Sequence, residues 1–205
     1  MKTKILIVDD HTIVRAGLAA LLGTERDFEV VGQARNGLDA IRESERLRPD
    51  VIIMDLVMPK MDGVEATREI CAKDPEAKVI LLTTFGTSDG IAHAIDAGAR
   101  GALLKNAENA QLFKAIHAVA RGETFISPDI RQQLSSDPPI PNLTPRQKDI
   151  LAAMVRGLTD REISIQLSIR LDGVNAHVRG ILSKLNAANR TEAVAIAMRK
   201  HLLNI

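Results

Sequence analysis

The chain has 205 residues, 45% of them hydrophobic and 26% charged, with a formal net charge of +1. It is therefore long enough for one large or two small globular domains, and its overall charge gives no sign of a nucleic-acid or membrane partner. A single cysteine, Cys71, excludes an internal disulfide framework, and no apolar run approaches the roughly 20 residues that span a membrane.

There is no apolar signal region before the first strand, so a cytoplasmic protein with no membrane partner is expected. Aromatic residues make up 2%, with no Trp or Tyr, so the core must be built from Leu, Ile, Val and Ala.

Ile5 to Val8 reads as a buried strand that ends in Asp9-Asp10. Helical spacing follows through Ile13, Val14, Leu18, Leu21 and Leu22, and stops at Gly23. Val30 and Val31 mark a second strand, and Asn36 caps a helix running to Leu47. Val51, Ile52, Ile53 and Met54 form a continuous apolar run, the mark of a strand covered on both faces. It ends in Asp55, followed by Leu56-Val57-Met58-Pro59. A helix begins near Asp62-Gly63 and includes Cys71, which reads as a packing residue. Val79 to Leu82 is a fourth strand, ending at Thr83. A helix through Ile91 and Ile95 stops at Gly98. Ala102 to Leu104 is a fifth strand, ending at Lys105, and a helix through Leu112, Ile116 and Val119 closes near Gly122.

Strands alternating with helices at this spacing predict a parallel sheet with helices on both faces. Right-handed crossovers then bring every strand's C-terminal end to one edge, where open α/β sheets bind ligands. Asp55 alone reads as a turn or cap. Together with Asp9, Asp10, Thr83 and Lys105 at the ends of other strands, it belongs to a constellation. His11, which follows the acidic pair, reads as a loop residue beside that constellation, with a metal ligand as the alternative.

Residues 123–142 are expected to be a linker, with one helical turn after Ser127-Pro128. Pro138, Pro139 and Pro141 favour an extended stretch. Residues 143–205 carry no strand signal. Thr144 to Gln147 and Thr159 to Glu162 are capping boxes, and Asn189 to Glu192 resembles a third. Four helices are expected, the middle two as a helix-turn-helix. Ten Lys/Arg and five Asp/Glu fall in this segment, a formal +5, which leaves 17 and 21 in the rest, a formal −4. An acidic front and a basic helical back predict a cation-binding module joined to a nucleic-acid-binding one.

Clustered carboxylates repel and need a counter-charge. Mg²⁺ suits a site with one or two direct carboxylates, waters and phosphate oxygens. Lys105 offers a point charge and Thr83 a hydroxyl donor. Such a site can accept a phosphoryl group, with Asp55 as nucleophile.

Asp9-Asp10, the run from Asp55 to Gly63, Thr83 and the run from Gly101 to Lys105 resemble the receiver domain of two-component response regulators over about residues 1–122. Leu143 to Arg146, Gly157 to Ile163, Val174, His177-Val178, Ile181 to Leu185 and Asn189 to Ala193 resemble the LuxR-type helix-turn-helix. The whole is similar to a NarL/FixJ-type response regulator. The fold so implied is a five-stranded, parallel, doubly wound receiver domain over 1–122, followed by a small all-α DNA-binding domain over 143–205. The resemblance implies that a sensor histidine kinase phosphorylates Asp55. It implies that Asp10, Asp55 and the Val57 carbonyl ligate Mg²⁺, with Asp9 acting through water, and that Thr83 and Lys105 contact the phosphoryl group. It also implies contacts to double-stranded DNA at Asn175, Ala176, Arg179, Ser183 and Lys184, and a homodimer on phosphorylation. No enzymatic activity is expected beyond phosphoryl acceptance and slow self-dephosphorylation.

Two departures stand out. Ala102 occupies a position where an aromatic is usual in the family, so an aromatic rotamer cannot report movement of the loop of Thr83 and Phe85 there, and either another surface carries the signal or the switch is weaker. Arg170-Leu171-Asp172-Gly173-Val174-Asn175 replaces the usual start of the recognition helix. Asp172 is then the candidate cap, and the helix is expected to start about two residues late. A rival reading follows: a degenerate helix-turn-helix that regulates a protein partner by contact.

Overall fold

The computed structural model describes residues 2–84, 88–139, 143–200 and 202. It divides into two compact units, one running to Pro138 and one starting at Pro139.

The first unit alternates strands β1 (Thr3–Val8), β2 (Phe28–Ala34), β3 (Val51–Met54), β4 (Val79–Thr83), β5 (Gly101–Leu104) and β6 (Phe125–Ile126) with helices. The helices are α1 (Thr12–Gly23), α2 (Gly37–Leu47), α3 (Gly63–Lys73), α4 (Ser88–Asp96), α5 (Asn109–Ala120) and α6 (Pro128–Ser136). The sheet order is β2-β1-β3-β4-β5-β6, and every pairing is parallel. Because successive side chains point to opposite faces, each central strand feeds two cores. Leu6, Val8, Ile52, Met54 and Leu81 pack with Ala40, Ala66, Ile70 and Ile91 of α2, α3 and α4. Ile5, Ile7, Val51, Ile53 and Leu82 pack with Leu22 of α1 and with Leu112, Ile116 and Val119 of α5. Cys71 packs against the first core, and burial pushes its thiol pKa up, so it is a packing group.

The expected linker is corrected over residues 123–138. Phe125 and Ile126 add a sixth strand to the open edge at β5, and the Ser127 N–H donates to the Ala102 carbonyl at 3.0 Å. Instead of one turn, α6 runs for nine residues, with Ser127 as its N-cap and Pro128 in its first turn. Its Ile130 is fully buried beside Ile91, Ala94 and Ala102. A strand edge left unpaired is costly, and a helix lying over a small residue such as Ala102 finds room to pack. The extended run expected through Ile140, Pro141 and Asn142 lies outside the described residues, as does Phe85.

The second unit has helices α7 (Pro145–Val155), α8 (Asp160–Gln166), α9 (Leu171–Leu185) and α10 (Arg190–Arg199). Thr144 with Gln147 and Thr159 with Glu162 form complete capping boxes. The third is incomplete. Asn189 accepts from the Glu192 N–H, but the Glu192 carboxylate reaches the Ala188 N–H rather than that of the N-cap. The core is Ile150, Leu151, Met154, Ile163, Val174, Ile181, Leu185, Ala193 and Ala197. No helix among the described residues is long and apolar enough to cross a membrane.

Candidate phosphoacceptor pocket and nucleic-acid interface

The register of the sheet builds the first site. Val8 pairs with Met54, so Asp9 and Asp55 leave neighbouring strands side by side. The Asp55 N–H donates to the Val8 carbonyl at 2.8 Å, and the Lys105 N–H donates to the Thr83 carbonyl at 2.8 Å. Thr83 itself is buried at the end of β4. Lys105 reaches back across the edge, with Nζ 2.6 Å from Asp9 Oδ2 and 2.8 Å from Asp55 Oδ2. Asp55 Oδ1 accepts the Leu56 N–H at 2.8 Å. Val57 lies in the loop after β3 and is 67% exposed.

Burial pushes the Asp55 carboxyl pKa up, the Lys105 ammonium opposes that rise, and the Asp9 charge adds to it. Burial by itself would pull Lys105 down. The hydrogen bonds and charges of Asp55 and Asp9 outweigh it and hold the ammonium above its ordinary pKa. Lys105 is therefore a cation at neutral pH, between two nearly buried carboxylates. The formal charges of Asp9, Asp10, Asp55 and Lys105 sum to −2, which one divalent cation balances. Oxygen donors suit such an ion, and Asp10 Oδ1 is a buried atom with no hydrogen-bond partner in the protein. The residues present therefore fit a divalent cation.

One member of this pocket, Arg15, escaped the sequence reading, and another, His11, was given the lesser of two parts. The Arg15 guanidinium donates to the backbone carbonyls of Asp9 at 2.7 Å and Asp10 at 3.1 Å, and so holds the acidic loop in place. The available signal was a lone cation in an apolar first helical turn. His11, set aside as a loop residue, is the N-cap residue of α1, and its Nδ1 is 2.8 Å from Asp10 Oδ1.

The second site is on α9. The expected late start is corrected: the helix begins at Leu171, with Arg170 as a cap residue whose side chain makes no capping hydrogen bond. Asp172 lies inside the first turn, where its charge favours the helix dipole. At about 100° per residue, Asp172, Asn175, Ala176, Arg179 and Ser183 form one stripe, opposite the buried Val174, Ile181 and Leu185. All five are exposed. Lys184 departs from the stripe. It is half-buried, and its Nζ donates to Gln147 Oε1 at 2.9 Å. That same oxygen accepts the Thr144 N–H at 3.0 Å in the α7 capping box. Lys184 thus ties α9 to the start of α7.

Residues 5–117 match the family of response regulator receiver domains, and residues 141–197 match the bacterial regulatory proteins of the luxR family. The chain is 40% identical over 209 residues to the transcriptional regulatory protein LiaR of Bacillus subtilis, covering 98% of this chain and 99% of that one. It is 37% identical over 208 residues to the response regulator protein VraR of Staphylococcus aureus, covering 99% and 100%. Among solved structures it resembles the response regulator ChrA of a heme-sensing two-component system, at 33% identity and a TM-score of 0.60, covering 98% of this chain and 99% of that one. A complex of the response regulator RcsB with DNA, 23% identical with a TM-score of 0.68 and covering 97% and 98%, shares the fold.

Proposed function

The chain belongs to the two-component response regulators that join a receiver domain to a LuxR-type helix-turn-helix, and from that premise we propose that phosphorylation of Asp55 by a sensor histidine kinase controls its binding to double-stranded DNA. The observation that carries this reading is the Lys105 bridge between Asp9 and Asp55, at the end of the strand a phosphoacceptor needs.

In the proposed transfer an Asp55 carboxylate oxygen forms a bond to phosphorus as the bond from phosphorus to the kinase histidine nitrogen breaks. Lys105, already charged and in place, pairs with the phosphoryl oxygens, and Thr83 donates its hydroxyl to one of them. Asp9, Asp10, Asp55 and the Val57 carbonyl would hold Mg²⁺, which neutralises charge on the transferring group. Arg15 keeps the acidic loop in position. No catalysis is assigned beyond phosphoryl acceptance and slow self-dephosphorylation.

For the output, Asn175, Ala176, Arg179 and Ser183 face outward along α9 and meet the major groove, while Lys184 holds α9 to α7. Asn pairs with adenine edges, and Arg with guanine or phosphate. Phosphorylation favours a homodimer on two half-sites about 10–10.5 bp apart. A cytoplasmic location fits both partners. The test is DNA binding across a salt series, with Mg²⁺ and a small-molecule phosphoryl donor, for the intact chain and Asp55→Ala. A gain in affinity confined to the intact chain is expected. Phosphorylation of Asp55 without any salt-dependent DNA binding would instead favour regulation of a protein partner by contact.

A further inference from the structure

One side chain at the acidic pocket is left unused by the helix it opens. His11 occupies the N-cap of α1, yet its side chain makes no capping hydrogen bond. N-caps are ordinarily Ser, Thr, Asp or Asn, whose oxygens accept from the first turn. The imidazole instead folds back over the sheet edge. Nδ1 lies 2.8 Å from Asp10 Oδ1 and 3.4 Å from Asp9 Oδ1, and the His11 N–H donates to Asp9 Oδ1 at 2.8 Å, which pins the loop. The approach to Asp10 lacks hydrogen-bond geometry, and Asp10 Oδ1 is left buried with no hydrogen-bond partner. One ligand atom from each of Asp9, Asp10, His11 and Asp55 lies within 4.8 Å of every other. On an octahedral dication with bonds of about 2.1 Å, adjacent ligands are about 3 Å apart and opposite ones about 4.2 Å. The separations at His11 are those of adjacent ligands, reached with the backbone as it stands.

We infer that His11 is a nitrogen ligand in this pocket, and that it gives the site a second class of cation, a nitrogen-accepting transition-metal ion such as Ni²⁺ or Zn²⁺, beside Mg²⁺. The inference rests on the pocket being the receiver's cation site. Mg²⁺ is hard, prefers oxygen and keeps several waters, so it gains little from an imidazole. Ni²⁺ and Zn²⁺ bind imidazole well. The ring is 68% exposed, so it can turn onto an ion without disturbing either core. Such an ion competes with Mg²⁺ for Asp9, Asp10 and Asp55, and so couples phosphoryl acceptance to metal supply.

Affinity order alone does not test this, because Ni²⁺ exceeds Mg²⁺ at most nitrogen and oxygen sites. The difference made by a variant does. Calorimetric titration of the full chain with Ni²⁺ and with Mg²⁺ should be compared for the intact protein, His11→Ala and Asp10→Asn. Ring ¹⁵N resonances should be followed during a Zn²⁺ titration. His11→Ala is expected to weaken Ni²⁺ by roughly tenfold or more and to leave Mg²⁺ within about twofold, while the His11 ring nitrogen shifts with Zn²⁺. Unchanged Ni²⁺ affinity with a still ring resonance would make His11 a mere counter-charge to Asp10 and overturn the inference. Equal losses for both ions would reduce it to a loop-shaping residue and overturn it as well. If the intact protein binds neither ion, or binds them regardless of Asp10→Asn, the cation-site reading of the pocket fails, an outcome separate from failure at His11.

Discussion

At Gly63 the placement of Asp55, the proposed phosphoacceptor, depends on a missing side chain. A Cβ there would lie 2.2 Å from the Asp55 carbonyl oxygen and 3.0 Å from Leu56 Cα, both backbone atoms that cannot swing aside. The Gly63 N–H also donates to the Leu56 carbonyl at 2.9 Å, so α3 begins directly against the residues that carry Asp55. Gly63→Ala is expected to cost roughly 1–3 kcal/mol by overpacking. It should also slow phosphoryl uptake from a small-molecule donor, since Asp55 must shift. Gly173→Ala serves as the control, because a Cβ there meets nothing within 4 Å. Replacing a helical glycine in open space stabilises by up to about 1 kcal/mol. Urea melts of both variants check the opposite signs, and equal destabilisation would remove the close approach as the cause.

Helix α9 shows how far periodicity carries an element and where it stops. Heptad-like spacing of Val174, Ile181 and Leu185 sets the buried face, and the stripe from Asp172 to Ser183 follows by rotation. The same spacing leaves Lys184 at the flank, where a long side chain can turn either way. Gln147 decides it, by offering an oxygen already held by the capping box of another helix. Gly180 makes room, since a Cβ there would come 2.9 Å from Gln147 Nε2. A phosphate contact carries a salt signature that a structural contact lacks. Arg179→Ala is therefore expected to lower the slope of log affinity against log salt by about 1. Lys184→Met should weaken binding by the same factor at every salt concentration and leave the slope intact. A slope change for Lys184→Met would return that residue to the DNA.

The two units each have a core of their own, and the first is larger than its five expected strands. Strand β6 and helix α6 complete it. Ile130 is the test, being fully exposed in a linker and fully buried here. Ile130→Ala should destabilise the receiver unit by about 2–5 kcal/mol, the range for emptying a buried aliphatic site. Amide exchange at β5 should accelerate with it, because α6 covers that strand. A change within about 0.5 kcal/mol, as for surface positions, would restore the linker reading. The placement also bears on Ala102. The position that lacks the usual aromatic pairs with Ile126 and lies beside Ile130, so its surroundings are set by the segment that leads to the second unit.

By itself the sequence determined the alternation of strands and helices, the edge shared by Asp9, Asp10, Asp55, Thr83 and Lys105, both capping boxes, the helix-turn-helix and the split of charge. Each of these is written in a local code, whether a hydrophobic period, a cap three residues from its partner, or a handed crossover. The tertiary structure alone decided that residues 123–138 join the first unit, because a two-residue strand has no period to read and pairs only where an edge stands open. It alone decided that Lys184 turns to Gln147, 37 positions away. It also decided that the His11 ring folds against the Asp10 carboxylate, and that Gly63 must be bare. The Lys184 and Gly63 contacts join atoms apart in the chain, and the turn of the His11 ring is one of several rotamers open beside Asp10, so no local pattern of residues fixes them.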